Sequence, residues 1–252
     1  MDSERLAVKK TGCRLFAAVC SLILLPSIAV WSQSGGSQGE VLGAPLETKA
    51  MAEAENKIKD VQKNIDAVSA VVYQRKKNQL LKNEIATEGT IILKRPNLLH
   101  WEVKKPEPLT IIVDGKIMWV YHPDVKEAQK YILSEQFIAR QTMEFFSSAM
   151  AMSLEEIGKR FDIAAYNPND SLIFEMRPKS SMAAKYLTAI YIWYKDGEGV
   201  PYKFEVIDKN GNSTVTELRD IVLNPSINAS AFHFDIPKGV TITNIENEGA
   251  GY

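Results

Sequence analysis

Three histidines, His100, His122 and His233, are the natural general bases or metal ligands of this 252-residue chain. They are far apart, and none has the i, i+4 spacing that places two imidazoles on one helix face, as H-E-x-x-H does. No G-x-S-x-G elbow, P-loop or Gly-rich dinucleotide turn occurs. His100 lies in a strand facing opposite to Trp101, and His122 precedes Pro123 at a strand end. The paired acids Glu155-Glu156 and Glu53/Glu55 read as solvated helix charges. The expectation is no catalytic residue, no metal site, no cofactor and no enzyme.

What the residues do offer is binding chemistry. Alternation puts Ile91, Leu93 and Arg95 on one face of a strand, and Leu99, Trp101 and Val103 on one face of the next. An arginine sharing a face with apolar residues is odd for a surface cation. Its bland alternative is a rim charge beside Pro96. The expected cavity or lid residues are Leu93, Arg95, Leu99, Trp101, Val103, Trp119, Tyr121, Phe145, Met150, Tyr202 and Phe204. Ordinary core packing competes for each of them. Arg75-Lys76-Lys77 is a short basic run that reads as solvated or as a docking surface.

Charge and cysteine usage narrow the setting. Thirty basic against 31 acidic side chains give a formal charge of −1, which offers no reason to bind nucleic acid. Arg5, Lys9, Lys10 and Arg14 precede an apolar run from Leu15 to Leu25, closed by Pro26 and small residues. This is the pattern of an export signal over residues 1–32, with cleavage after Ala29 or Ser32. An uncleaved signal anchor is the alternative, since the apolar stretch continues to Trp31. Both cysteines, Cys13 and Cys20, fall inside the segment, so the exported chain would carry neither disulfide nor thiol. Val19 before Cys20, with the apolar run continuing past it, does not fit a lipoprotein signal, and the exported protein is expected to be unanchored.

Residues 33–46 are rich in Gly and Ser and read as a flexible linker, leaving 47–252 as one domain. Met51, Ala54, Ile58, Val61, Ile65 and Val68 form one stripe of an amphipathic helix of five or six turns, expected to lie on a sheet. Strands follow near 70–79, 86–95, 98–104, 109–113, 116–121 and 127–133, then near 161–166, 171–177, 186–195, 201–208 and 213–223. Asp114-Gly115 and Asn210-Gly211 mark hairpins. In 116–121 and 186–194 both faces are apolar, so these strands need cover on both sides. Residues 134–160, rich in Phe and Met, interrupt the strands with a helical insertion that reads either as core or as a pliable lid. The expected fold is mainly β with helices: about eleven antiparallel strands in a curled, incompletely closed barrel.

Several motifs coincide. Gly89 leads a strand that ends at Arg95-Pro96, and Trp101 follows. Then come Asp114-Gly115-Lys116, Trp119, Tyr121 and Pro123, and the tail carries Phe232, Phe234, Pro237 and Gly239-Val240. Together these resemble the periplasmic outer-membrane lipoprotein carrier family, LolA. The resemblance implies a helical lid over a hydrophobic cavity that holds lipoprotein acyl chains. It also implies that Arg95 helps hold the lid shut and is needed for cargo transfer. The partners it implies are an inner-membrane ABC-type lipoprotein-releasing transporter and an outer-membrane acceptor lipoprotein, served by a monomer in the periplasm. The chain departs from the family pattern at 134–160, where the insertion is longer and richer in Met and Phe. Two other classes stay open: a carrier of free lipid or a lipid-sensing regulatory module, and an enzyme acting on lipids.

Overall fold

A computed structural model describes residues 42–79, 83–134, 157–168 and 171–245. The expected signal (1–32), most of the linker (33–46) and nearly all of the 134–160 insertion, including Phe145 and Met150, lie outside the described residues.

Helix α1, Thr48–Gln62, comes first. Eleven strands follow: β1 (Ala67–Lys77), β2 (Ile85–Lys94), β3 (Leu98–Lys105), β4 (Leu109–Asp114), β5 (Ile117–His122), β6 (Glu127–Ile132), β7 (Phe161–Tyr166), β8 (Ser171–Pro178), β9 (Leu187–Lys195), β10 (Lys203–Asp208) and β11 (Ser213–Leu223). A twelfth, β12 (Thr241–Ile245), was not expected. All twelve form one open sheet in the order β12-β6-β5-β4-β3-β2-β1-β11-β10-β9-β8-β7. It is a curled, incompletely closed barrel. Among the described residues every neighbouring pair is antiparallel except β12 with β6, which is parallel. The long connection after β11 explains the exception, because a hairpin cannot deliver a parallel strand whereas a crossover can.

The helix is shorter than its stripe suggested. It stops at Gln62, and Ile65 and Val68 belong to the following loop and to β1. The run Val68, Ala70, Val72 has period two, and β-branched residues favour the strand once the sheet is there to receive them. Glu47 at the helix N-terminus offers no side-chain cap, so packing holds α1 in place. Ile58 is buried in one core cluster, while Val61 packs on the other. At the C-terminal end Gln62 Nε2 donates to the Gly199 carbonyl at 2.8 Å. A Cβ on Gly199 would stand 2.8 Å from Val61 Cγ1, so only glycine lets the β9–β10 loop come this close.

Asn224 locks the other end of that junction. Its backbone is left-handed at φ 48°, which asparagine tolerates better than most residues. Its Oδ1 accepts from the Asp66 and Ala67 amides at 2.7 and 3.2 Å, and its Nδ2 donates to the Asn64 carbonyl at 2.7 Å. The end of β11 is thereby tied to the loop that joins α1 to β1. Both hairpin signals form turns, with Gly115 at φ 96° and Gly211 at φ 75°.

After β11 the chain crosses the outside of the sheet. His100 Nδ1 donates to the Ala231 carbonyl at 2.7 Å, Phe232 is buried, and Phe234 stacks on the β5 aromatics. Thr241 then enters β12 through its amide, which donates to the Lys126 carbonyl. This strap is the cover that the two-sided apolar pattern of β5 requires.

Candidate functional site: the inner apolar wall

Strand register defines the wall. Across β1 to β6 one row runs Val68, Leu93, Leu99, Val113, Met118, Tyr131. The next runs Ala70, Ile91, Trp101, Ile111, Val120, Gln129. All twelve side chains are buried, and apart from Gln129 they make one apolar cluster with Val103 and Leu133. A second cluster continues the wall on β7 to β10, with Phe174, Ile192 and Phe204 in one cross-strand row. Polar groups on this face are few and mostly paired. Gln74 Nε2 donates to Thr216 Oγ1 at 3.1 Å, and the Tyr131 hydroxyl donates to Gln129 Oε1 at 2.6 Å.

The expected residues divide on this geometry. Leu93, Leu99, Trp101 and Val103 stand together on the wall, at 8, 2, 3 and 6% exposure. Arg95 follows directly after β2, half-buried, with its Nε atom buried and its backbone amide donating to the Asp66 carbonyl at 2.9 Å. Phe204 is half-buried against the second cluster. Tyr202 sits at the rim, its ring 5.7 Å from the Lys195 ammonium and its carbonyl accepting from the Leu218 amide.

Trp119 and Tyr121 must be corrected. They are on the opposite face, where Phe234 lies 5.1 and 5.4 Å from their rings. Register decides it: Met118 pairs with Val113 and Val120 with Ile111, so the even positions of β5 point inward. An aromatic residue on a doubly covered strand gives no sign of which layer it fills, and here the layer is the C-terminal strap.

The sequence reading missed a charged cluster on the outer face. Glu175 is buried on β8. It accepts from the Tyr166 hydroxyl and the Tyr191 hydroxyl, both at 2.8 Å, and pairs with Arg177. Burial alone would raise its pKa. The two tyrosines and the guanidinium outweigh that and hold the carboxyl below its ordinary value. Burial first, then the hydrogen bond to Glu175 and its charge, push Tyr191 up to about 12 against the opposing effect of Arg177. Glu175 shares its face of β8 with Ile173 and Arg177, and the tyrosines that complete the cluster come from neighbouring strands.

A pH dependence follows. The folded pKa of Glu175 is lowered, so its contribution is complete above the ordinary carboxylate range and disappears as pH falls through the folded value. Glu175→Gln should cost about 2 kcal/mol near neutrality, because an amide cannot accept from both tyrosines and also pair with Arg177. It should also flatten the loss of melting temperature on acidification below about pH 4. Thermal melts of both proteins from neutral to acid pH decide the matter, and parallel curves would assign the acid sensitivity elsewhere.

Burial also lowers the pKa of His122, against the opposing charges of Glu127 and Glu107. Among the described residues no group of three or more His, Cys, Asp or Glu stands close enough to hold a metal ion. Among them, too, no helix is long and apolar enough to cross a membrane.

Comparison with known proteins places this geometry. The family model described as outer membrane lipoprotein carrier protein LolA matches residues 63–235, well over half the chain. An outer-membrane lipoprotein carrier protein of Pasteurella multocida is 29% identical over 198 residues, covering 78% of this chain and 90% of that protein. One of Histophilus somni is 29% identical over 191 residues, covering 75% and 86%. Among solved structures, an uncharacterized conserved protein from Thermus thermophilus superposes with a TM-score of 0.50 at 11% identity, covering 77% of this chain and 99% of its own; this likeness is one of fold.

Proposed function

The chain belongs to the LolA outer membrane lipoprotein carrier family, and from that premise we propose that it carries the acyl chains of lipoproteins through the periplasm, from the inner to the outer membrane. Residues 1–32 direct export and are removed, 33–46 are the linker that begins the exported chain, and 47–252 are the working domain. An inner-membrane ABC-type lipoprotein-releasing transporter loads the monomer, and an outer-membrane acceptor lipoprotein unloads it. No bond is made or broken in the cycle.

The observation that carries this reading is the nearly unbroken apolar wall on the inner face of β1 to β6. Acyl chains exposed to water cost about 0.8 kcal/mol per methylene, so a few dozen methylenes cost on the order of 30 kcal/mol. A soluble carrier must hide almost all of them. The wall is long, continuous and free of clustered titratable groups, which suits hydrocarbon and little else.

The topology supports a lid. Residues 134–160 join Leu133, beside β6 on one flank, to β7 at the far edge of the sheet. The Met- and Phe-rich composition of this segment supports reading it as that lid, because thioether side chains adapt to irregular partners.

The test is native mass spectrometry of the protein purified from the periplasm. The expected spectrum shows it in complex with species bearing lipoprotein acyl chains. Free lipids alone would replace lipoproteins by lipid as the cargo. A bare chain that also fails to take up acyl chains from micelles would end the carrier reading.

A further inference from the structure

Trp101 is the fourth residue of β3, central in the wall and 3% exposed. Its indole Nε1 is buried and has no hydrogen-bond partner among the described residues. An indole N–H only donates, and leaving such a donor buried and unmade costs about 1–3 kcal/mol. A core tryptophan normally has an acceptor for this group.

The neighbours supply none. Ile91 and Ile111 flank Trp101 across the strands, and Leu99 and Val103 stand two residues away along β3 on the same face. The polar group at the end of this row, Gln129, stands three strands away on β6, beyond hydrogen-bond reach of the indole. A buried water would find one partner here where such waters usually have about three.

We propose that the Trp101 indole N–H is the donor that fixes the head of an acyl chain by hydrogen-bonding the carbonyl oxygen of its ester linkage inside the wall. This rests on the carrier reading and deepens it. Methylenes have no acceptor to offer, and the strong acceptor attached to an acyl chain is the carbonyl at its head. The position of Trp101 in mid-strand then means that the linkage is drawn into the wall along with the tails. The site discriminates: a chain joined through an ester satisfies the donor, and one joined through an ether leaves it short of a good acceptor. His122 Nε2, a second buried ring atom without a partner among the described residues, stands two strands away on β5. By strand alternation it is on the same face as Val120, so the wall holds more than one polar atom left open to a ligand.

The probes are dipalmitoylglycerol and its di-O-hexadecyl ether counterpart, each presented to the purified protein from detergent micelles. The wild-type protein should prefer the ester by about tenfold, and Trp101→Phe should bring its affinity for the ester down to that for the ether. Trp101→Phe keeps an aromatic ring of similar shape, and its missing peak identifies the Trp101 resonance in a nitrogen-15 spectrum. In the wild-type protein that indole resonance should move on addition of the ester and stay near its free position with the ether. An ester preference that survives in Trp101→Phe, or an indole resonance indifferent to the ester, would overturn the assignment while leaving the carrier intact. Binding of neither lipid would overturn both.

Discussion

Arg95→Leu should fold and load acyl chains but hand them on about a hundredfold more slowly than the wild-type protein. Arg95 continues the inward face of Ile91 and Leu93 past the end of β2. Its backbone is tied to Asp66 at the junction between α1 and β1, and its guanidinium lies half-buried at the margin of an apolar wall. In the proposed cycle charge-assisted hydrogen bonds from this guanidinium, each contributing about 1.5–3 kcal/mol, favour the empty, closed state. Leucine keeps part of the apolar stem and removes every donor, so closure loses about 3 kcal/mol. A carrier that gains less on closing releases less readily, and 1.4 kcal/mol corresponds to a factor of ten. The measurement is the half-time of transfer of a labelled lipoprotein from the purified carrier to outer-membrane vesicles, with circular dichroism to verify folding. Arg95→Lys should fall between the two. Wild-type kinetics in the leucine variant would take Arg95 out of the mechanism.

Gly89→Ala should be the most damaging small substitution in the sheet, lowering the melting temperature by about 10 °C. The register between β2 and β3 shifts between Glu88 and Gly89, and the two backbones come unusually close there. A Cβ on Gly89 would overlap the Glu102 carbonyl oxygen and lie 3.0 Å from Val103 Cα. Both are backbone atoms, so no side-chain rotation relieves the clash. β3 would have to move away, disturbing its pairing with β2 and β4 and dragging Trp101 and Val103 with it. Overpacking of this kind costs about 3 kcal/mol, and a domain of this size loses roughly 2–4 °C per kcal/mol. Gly89→Val should fail to accumulate as folded protein. If the alanine variant melts within about 2 °C of wild type, the close approach has been overstated.

Most of the sheet was legible because its strands alternate and its turns carry their own chemistry. Asp114 shows why: its carboxylate accepts from the Lys116 and Ile117 amides at 2.9 and 2.8 Å, so the hairpin is written into local residues. What local pattern does not contain was misread. The stripe through Ile65 and Val68 matches helix and strand periods alike, and the sheet decides between them. Trp119 and Tyr121 look like wall residues because the strap that covers them lies more than a hundred positions away in the chain. β12 was passed over because Thr241–Ile245 is mostly exposed and has no apolar alternation; its partner strand, not its composition, makes it extended. Leu93, Leu99, Trp101 and Val103 share the inward face because their strands have one dry face and one that is not. Glu175 stayed hidden, since nothing in a single strand reveals two tyrosines reaching in from its neighbours.

The ends of the sheet, β7 and β12, are not hydrogen-bonded to each other. A stitched hoop has a set girth, because widening it means tearing a seam of backbone bonds. A strip rolled toward itself has no seam to tear: it can slacken or tighten by sliding side chains past one another while all its ladders stay whole. One molecule can therefore fit itself to passengers of unequal bulk, and its grip stiffens or yields with the load it has taken on.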